Sequence, residues 1–202
     1  MNKYFDKYQL ERLELKDDDS NILCELLPLN DSSLVTDEVV ELLVKWRNRF
    51  MRYFKTQFEA EPISTKRWLQ DNILQNDRIL FLILVEGKPI GHYGLCNIDE
   101  DSAELDNAIR GERGGAADLF IGVEKYLIKF CFQNLKVKYI TAKVLSNNFL
   151  ANAMHQNLGF TEVIKYPLRM VETEGKKELM ECEVEMSNVP FEYVELKLLN
   201  IS

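Results

Sequence analysis

Apolar residues at positions 116, 119, 120, 123, 127, 130 and 131 recur at the three- and four-residue spacing of one helical face. The stretch before them, Ala103 to Arg110 (AELDNAIR), reads as a strand. Between strand and helix, Gly111, Gly114 and Gly115 fall within five residues. A flexible turn feeding a helix N-terminus leaves several backbone N–H groups without intrahelical partners, and the helix dipole adds positive potential there. A phosphate or pyrophosphate suits such a place. A glycine-containing connection with no ligand is the alternative, because a lone glycine motif is weakly specific.

The rest of the chain alternates between the two periods. Tyr8 to Leu15 has the alternation of a half-buried strand, Asp17 to Ser20 is a turn, and Ile22 to Leu29 is a second strand. Thr36 caps a helix whose apolar face is Val39, Leu42, Leu43, Trp46 and Phe50, with Asp37 and Glu38 in its first turn. Pro62 and Ser64 start a second helix with Trp68, Leu69 and Ile73 facing inward. Arg78 to Val85 is a central strand, Glu86-Gly87-Lys88-Pro89 a hairpin turn, and Ile90 to Ile98 the strand that pairs back. After the long helix come a strand at Val137 to Leu145 and a helix capped within Ser146-Asn147-Asn148 and stopped at Gly159. Two more strands follow, the second with Cys182, Val184 and Met186 alternating with glutamates, and the tail from Phe191 reads as an edge strand. This order predicts an α/β (α+β) fold: a mixed, mostly antiparallel central sheet with helices on both faces. The expectation is one domain over residues 1–202, with residues 1–20 as an N-terminal extension strand and 190–202 as a C-terminal edge segment.

Composition narrows the function. A net charge of −8 argues against general nucleic-acid binding but leaves room for a local basic pocket. Arg47, Arg49, Arg52 and Lys55 cluster at the end of the first helix, either as a solvated, dipole-favoured end or as anion contacts. The opening MNKYFDKYQL has no apolar core for a secretory signal, and the longest apolar run, Ile79 to Val85, is too short to span a bilayer. Four scattered cysteines without CxxC spacing suggest reduced thiols and a cytoplasmic location. With His92 and His155 as the only histidines, no metal site is expected.

Three pieces of sequence resemble the Gcn5-related N-acetyltransferase (GNAT) family: AELDNAIRGERGGAADL, VLSNNFLANAMHQNLGF and Trp46-Arg47-Asn48. The second is the most specific, with Val144, Asn148, Ala151, Gly159 and Phe160 at the family's spacing. The resemblance implies acetyl-CoA as donor, with its pyrophosphate on the loop at Arg110, Gly111, Arg113, Gly114, Gly115 and Ala116. It places a carbonyl-polarising backbone N–H near Ala108 or Ile109, and pantetheine contacts at Asn148 and Ala151. The pattern departs twice: Gly111 stands where the loop consensus has Gln or Arg, and His155 where the family has the tyrosine that protonates the departing thiolate.

Amide formation needs a deprotonated amine, so a general base is required. Glu104 is the first choice by its place on the strand, with Asp106 two residues on and on the same face. Either carboxylate could instead hold a cationic amine. His92 on the neighbouring strand ranks below Glu104, and His155 is the candidate acid or a helix-surface histidine. The resemblance is closest to bacterial enzymes that acetylate nucleotide-linked amino sugars in polysaccharide and glycan pathways. It implies a nucleotide-sugar acceptor near Arg47, Asn48 and Asn107. A peptide N-terminal acetyltransferase and a non-catalytic acyl-CoA-binding protein are the competing readings, and a homodimer is left open.

Overall fold

A computed structural model describes residues 6–200. The chain runs β1 (Leu13–Lys16), β2 (Ile22–Pro28), α1 (Asp37–Arg49), β3 (Thr56–Gln57), α2 (Pro62–Leu74), β4 (Ile79–Val85), β5 (Lys88–Cys96) and β6 (Ser102–Arg110). It continues through α3 (Leu119–Phe130), β7 (Tyr139–Leu145), α4 (Phe149–Asn157), β8 (Thr161–Thr173), β9 (Lys176–Glu181) and β10 (Glu192–Leu199). The strands follow the spatial order β1-β2-β4-β5-β6-β7-β10-β8-β9-β3. Among these neighbours only β6 and β7 run parallel. The sheet is thus mixed and mostly antiparallel, as the sequence predicts.

Strand β4 shows why its sequence is a continuous apolar run. Ile79, Phe81 and Ile83 pack into the cluster under α3 and α4, while Leu80, Leu82 and Leu84 join Leu43, Trp46 and Leu69 of α1 and α2. Both faces of the strand are covered, so no position can be polar. The β4–β5 hairpin closes through Glu86 (φ 51°) and Gly87 (φ 73°), with Val85 opposite Lys88. Two residues at positive φ make the primed turn whose twist suits adjacent strands.

Helix α1 starts as predicted, with the Thr36 hydroxyl accepting from the Val39 N–H at 3.3 Å. Its deepest residues are Val40, Leu43 and Trp46, while Val39 and Leu42 lie only partly buried. On α2, Leu69 and Ile73 are buried, but Trp68 is turned outward along a cavity wall. The helix expected from Ala116 begins at Leu119, leaving residues 116–118 in the loop.

Three expectations are corrected. The alternation from Tyr8 does not make one strand, because residues Lys7–Gln9 form a 3-10 turn and β1 begins at Leu13. Lys7 is buried and donates to the carbonyls of Asn72 (3.1 Å), Gln75 and Arg78 (3.3 Å), so the end of α2 captures the ammonium a strand would have left in solvent. The second late strand is β9 at Lys176–Glu181, while Val184–Met186 is an exposed 3-10 turn. The tail is no edge: β10 lies between β7 and β8, with Val194 and Leu196 buried. Alternation reports the faces of a strand, not how many neighbours it has. The predicted end of that tail, residues 201–202, lies outside the described residues, as do residues 1–5 of the predicted N-terminal extension.

Candidate active site

Two geometric events in β6 create the site. The first is the parting of β6 from β7. Their parallel pairing covers Ser102↔Tyr139 to Leu105↔Ala142 and stops there. Beyond it, β6 stays on β5 (His92↔Ile109) and β7 on β10 (Leu145↔Tyr193), so a wedge opens beside residues 106–110. The second event is a bulge. Between Asp106↔Gly94 and Ile109↔His92, β6 advances three residues while β5 advances two, and Asn107 sits at φ 50°. The extra residue reverses the side-chain alternation. Ile109 therefore joins Trp46 and Leu82 on the α1–α2 face, while Arg110 turns to the α3 side, 5.8 Å from the Phe120 ring.

The loop after β6 is held open by its own side chains. Arg110 donates to the carbonyls of Gly114 (2.7 Å), Ala116 (3.0 Å) and Ala117 (2.8 Å), drawing these oxygens to one side. Gly111 and Glu112 N–H groups both donate to the Ile90 carbonyl at 2.9 Å, and the next loop donor is Leu119, to Ala116 at 3.2 Å. The N–H groups between them precede α3 with no protein acceptor among the described residues, which leaves them free to receive an anion. Gly115 (φ 65°) supplies the left-handed residue. Arg113 is exposed at this rim, the cation left over once Arg110 is engaged.

Gly111 has a direct cause. A Cβ there would lie 2.2 Å from Trp46 Cδ1, and Trp46 is 0% exposed. The indole occupies the space a Gln or Arg side chain would need. Its Nε1–H donates to Glu112 at 3.0 Å, Lys45 pairs with the same carboxylate at 2.6 Å, and Arg49 donates to the Gly111 carbonyl at 2.6 Å. The basic end of α1 thus has a first task in fastening the loop.

A cavity of about 310 Å³ lies on the α1–α2 face, with Asn107 and His92 in its floor and Phe54, Phe58 and Trp68 in its walls. Arg47 also lines it. Its guanidinium stacks 3.5 Å over Phe54 and donates from Nη2 to the Thr56 carbonyl at 2.6 Å, but its buried Nη1 has no partner. Burial lowers the Arg47 pKa to about 10, so the group remains charged at neutral pH. Asn48 does not enter the cavity. It exchanges hydrogen bonds with Ala60, donating at 3.1 Å and accepting at 2.7 Å, and so fixes the wall. Arg52 is turned to Tyr53, and Lys55 pairs with Glu181 at 2.7 Å.

His92 is buried and its pKa is lowered to about 4, by burial first and then by Arg47, against the Asn107 carbonyl that favours the charged form. That carbonyl can only accept, so the proton sits on Nδ1, 2.6 Å away, and Nε2 keeps its lone pair. Glu104 and Asp106 share one face of β6 but do not line the cavity. Glu104 is 15% exposed, accepts from Asn97 at 3.0 Å and lies 3.8 Å from Lys143. Burial raises its pKa in spite of these two contacts. Asp106 accepts from the Asn107 N–H (2.8 Å) and side chain (2.6 Å) and from Arg78 (3.4 Å).

Behind the wedge, α4 follows β7 with Asn148 as its N-cap, accepting from the Ala151 N–H at 3.4 Å. Asn152, which sequence reading passed over, ties the helix to the Leu145 carbonyl at 3.0 Å. His155 is no surface residue: it is 5% exposed, and its Nδ1 meets Glu124 of α3 at 2.6 Å. Sequence reading missed Glu124. The signal was a charge amid the apolar spacing of α3, between Val123 and Leu127.

The parted strands, the donor-rich turn before a helix and the adjoining pocket are the arrangement of an acyl-CoA-dependent transferase. Residues 33–161 match the acetyltransferase (GNAT) domain, and the chain belongs to that family. It is an acetyl-CoA-dependent N-acetyltransferase. Its sequence is 26% identical over 141 residues to the acetyltransferase PseH of Campylobacter jejuni, spanning 67% of this chain and 85% of that protein. The fold is similar to the crystal structure of C. jejuni N-acetyltransferase PseH in complex with acetyl coenzyme A (TM-score 0.56, 21% identity, 87% of this chain and 99% of that one). It is also similar to a Salmonella typhimurium acetyl transferase that modifies the N-terminal serine of ribosomal protein L7/L12 (TM-score 0.67, 14% identity, 89% and 96%). No helix among the described residues is long and apolar enough to cross a membrane.

Proposed function

We propose that the enzyme acetylates the free amino group of a nucleotide-linked deoxy-amino sugar, by direct transfer with both substrates bound, in a glycan-building pathway. The observation that carries this reading is the aromatic-walled cavity beside the β6 bulge, with the unpaired Arg47 Nη1 buried in its wall. A sugar nucleotide combines flat apolar surface with anionic and hydroxyl oxygens. Phe54, Phe58 and Trp68 suit the first, and a guanidinium N–H suits the second.

The residues present fit acetyl-CoA, which supplies the acetyl thioester. The free N–H groups of Gly114, Gly115 and Ala116, with Arg113 at the rim, hold its pyrophosphate. Asn148 and Ala151 stand at the start of α4, beside the pantetheine path. A backbone N–H near Ala108 or Ile109, on the unpaired edge of β6, donates to the thioester carbonyl. A donor so placed contributes about 3 kcal/mol as negative charge builds on that oxygen.

Glu104 lies outside the cavity and takes the amine proton through intervening water. Its raised pKa makes it a better base than an exposed carboxylate, and a better one than His92, which holds a proton only weakly. His92 Nε2 instead receives an N–H of the incoming amine, turning the nitrogen lone pair toward the wedge. Asp106 and Asn107 orient the acceptor beside the bulge. The test is a panel of amino-sugar nucleotides and peptides screened for acetyl-CoA-dependent thiol release and mass gain. Release with amino-sugar nucleotides alone is expected. Release with peptides alone would refute the acceptor assignment.

A further inference from the structure

Side chains, rather than strand pairing, hold Asn107 at its positive φ. The registers of β6 on β5 and on β7 leave out both Asn107 and Ala108. In place of a strand partner, the Asn107 backbone N–H donates to Asp106 Oδ1 at 2.8 Å, and its side-chain amide donates to Oδ2 at 2.6 Å. At the other end of the residue, His92 Nδ1–H donates to the Asn107 carbonyl at 2.6 Å. Each partner is backed in turn. Arg78 donates to the Asp106 carboxylate at 3.4 Å, and the Trp46 ring stands 5.9 Å from the imidazole. A left-handed residue other than glycine inside a strand is uncommon, and it persists where its surroundings over-determine it.

Covalent geometry decides where the pinned peptide points. In a planar trans peptide, the C=O and the following N–H face opposite ways. The Asn107 carbonyl faces His92 of β5, so the Ala108 N–H faces away from β5, toward the side that β7 leaves after Leu105. Ladder alternation agrees. The Gly111 N–H donates to the Ile90 carbonyl, so those two residues form a hydrogen-bonded pair. By alternation Arg110↔Gly91 is not one, and Ile109, opposite His92, turns its N–H back to β5. Ala108 thus keeps the donor that faces the cleft. It is also exposed, although its neighbour Ile109 is buried.

We propose that His92 and Asp106 are positioning residues that clamp Asn107 from its two ends and thereby aim the Ala108 N–H at the thioester carbonyl oxygen. This rests on the reading that a β6 donor meets that oxygen, and it selects Ala108 over Ile109. A donor already in place stabilises the charge that gathers on the oxygen as the amine attacks, whereas a bulge free to turn would have to be ordered at that moment. Burial keeps His92 neutral, its pKa lowered to about 4, and the one proton of the neutral ring is the one on Nδ1. The two ring nitrogens therefore have separate tasks. Nδ1 holds the peptide, and Nε2 stays free for the amine.

The test needs no acceptor. Asparagine precedes alanine at two places, Asn107-Ala108 and Asn152-Ala153, so carbonyl-¹³C asparagine combined with ¹⁵N alanine leaves two amide signals in a carbonyl-filtered NMR spectrum. An Ala153→Ser variant assigns them. Acetyl-CoA should move the Ala108 amide proton downfield. S-ethyl-coenzyme A, which keeps the pyrophosphate and the sulfur but has no carbonyl, should not. His92→Phe keeps a ring beside Trp46 without a donor, and should shrink that difference at least twofold, as should Asp106→Ala. His92→Asn puts an amide nitrogen as many bonds from Cβ as Nδ1 and should keep the difference. His92→Gln puts one at the distance of Nε2 and should behave as His92→Phe. Where an acceptor turns over, His92→Phe should lower kcat at least tenfold with the acetyl-CoA KM within twofold, and His92→Asn should recover part of that loss. A carbonyl-specific shift that persists in folded His92→Phe, or that His92→Gln keeps and His92→Asn loses, would overturn the clamp. Equal responses of wild-type Ala108 to the two ligands would refute the β6 donor and the clamp with it. A wild type that acetylates no amino sugar would refute the acceptor assignment, and the amide signals would still decide the clamp.

Discussion

Gly111→Ala tests whether the core itself closes the first position of the pyrophosphate loop. The added methyl would stand 2.2 Å from Trp46 Cδ1 and Nε1 and 2.3 Å from Cδ2, far inside a carbon–carbon contact of about 3.5 Å. The ring cannot yield easily. It is fully buried, its Nε1–H is held by Glu112 and His92 lies 5.9 Å from its centroid. Overpacking of a filled core costs about 1–3 kcal/mol, and relief here requires moving either α1 or the loop, so the upper half applies. At about 2–4 °C per kcal/mol for a chain of this size, Tm falls by roughly 4–12 °C. Moving the loop also displaces its donors. Losing one charge-assisted hydrogen bond, about 1.5 kcal/mol, weakens acetyl-CoA about tenfold. Thermal unfolding by circular dichroism and calorimetric titration with acetyl-CoA read the two effects. Gly87→Ala is the control, strained by φ 73° but with nothing within 4 Å of its new methyl, and it should leave acetyl-CoA affinity intact. Adding Trp46→Phe to Gly111→Ala should restore part of the loss. A Gly111→Ala protein with wild-type Tm and affinity, or strictly additive costs in the double variant, would refute the reasoning.

Further outcomes follow from the same geometry. Glu104→Gln should lower kcat/KM at neutral pH at least tenfold and leave acetyl-CoA affinity nearly unchanged. The wild-type acidic limb, lying above the usual carboxylate range because burial raises the pKa, should vanish from its pH profile. Arg47→Met keeps the apolar stem against Phe54 but removes Nη1. The acceptor KM should rise about 10- to 100-fold, from the 1.5–3 kcal/mol of a charged hydrogen bond, with the acetyl-CoA KM unmoved. His92 binds its proton less readily folded (pKa about 4) than unfolded (about 6.5), so unfolding takes up a proton and stability falls as pH drops from about 6.5 to 4. Denaturation midpoints across that window should decline less steeply in His92→Gln, and an identical slope would exclude His92 as the titrating group.

The elements were legible because their periods are strong. The double-sided burial of β4, the positive-φ turn before β5 and the apolar face of α3 all follow from local sequence. So did the face shared by Glu104 and Asp106. What could not be read were features set by residues distant in sequence. The Asn107 bulge reverses alternation without any glycine to announce it, and so sends Arg110 to the loop carbonyls. Gly111 reads as a departure from the family loop until Trp46, sixty-five residues earlier, is seen to fill its place. Glu124 went unread because its two partners, Tyr93 and His155, come from β5 and α4. Of the basic residues at the end of α1, Arg49 and Lys55 are engaged by Gly111 and Glu181, far along the chain, and only Arg47 keeps a buried nitrogen without a partner.

The position of β10 bears on how the chain is made. Until that strand leaves the ribosome, β7 and β8 each carry a bare edge, while their other edges pair with β6 and β9. Pairs such as Tyr139↔Leu199 and Ser102↔Tyr139 join distant parts of the sequence, so the sheet closes late and at long range. Nascent chains that stop short of residue 192 should therefore be bound by chaperones or self-associate through those edges. The order of synthesis thus puts the last step of folding beside the strand whose parting from β6 makes the cleft.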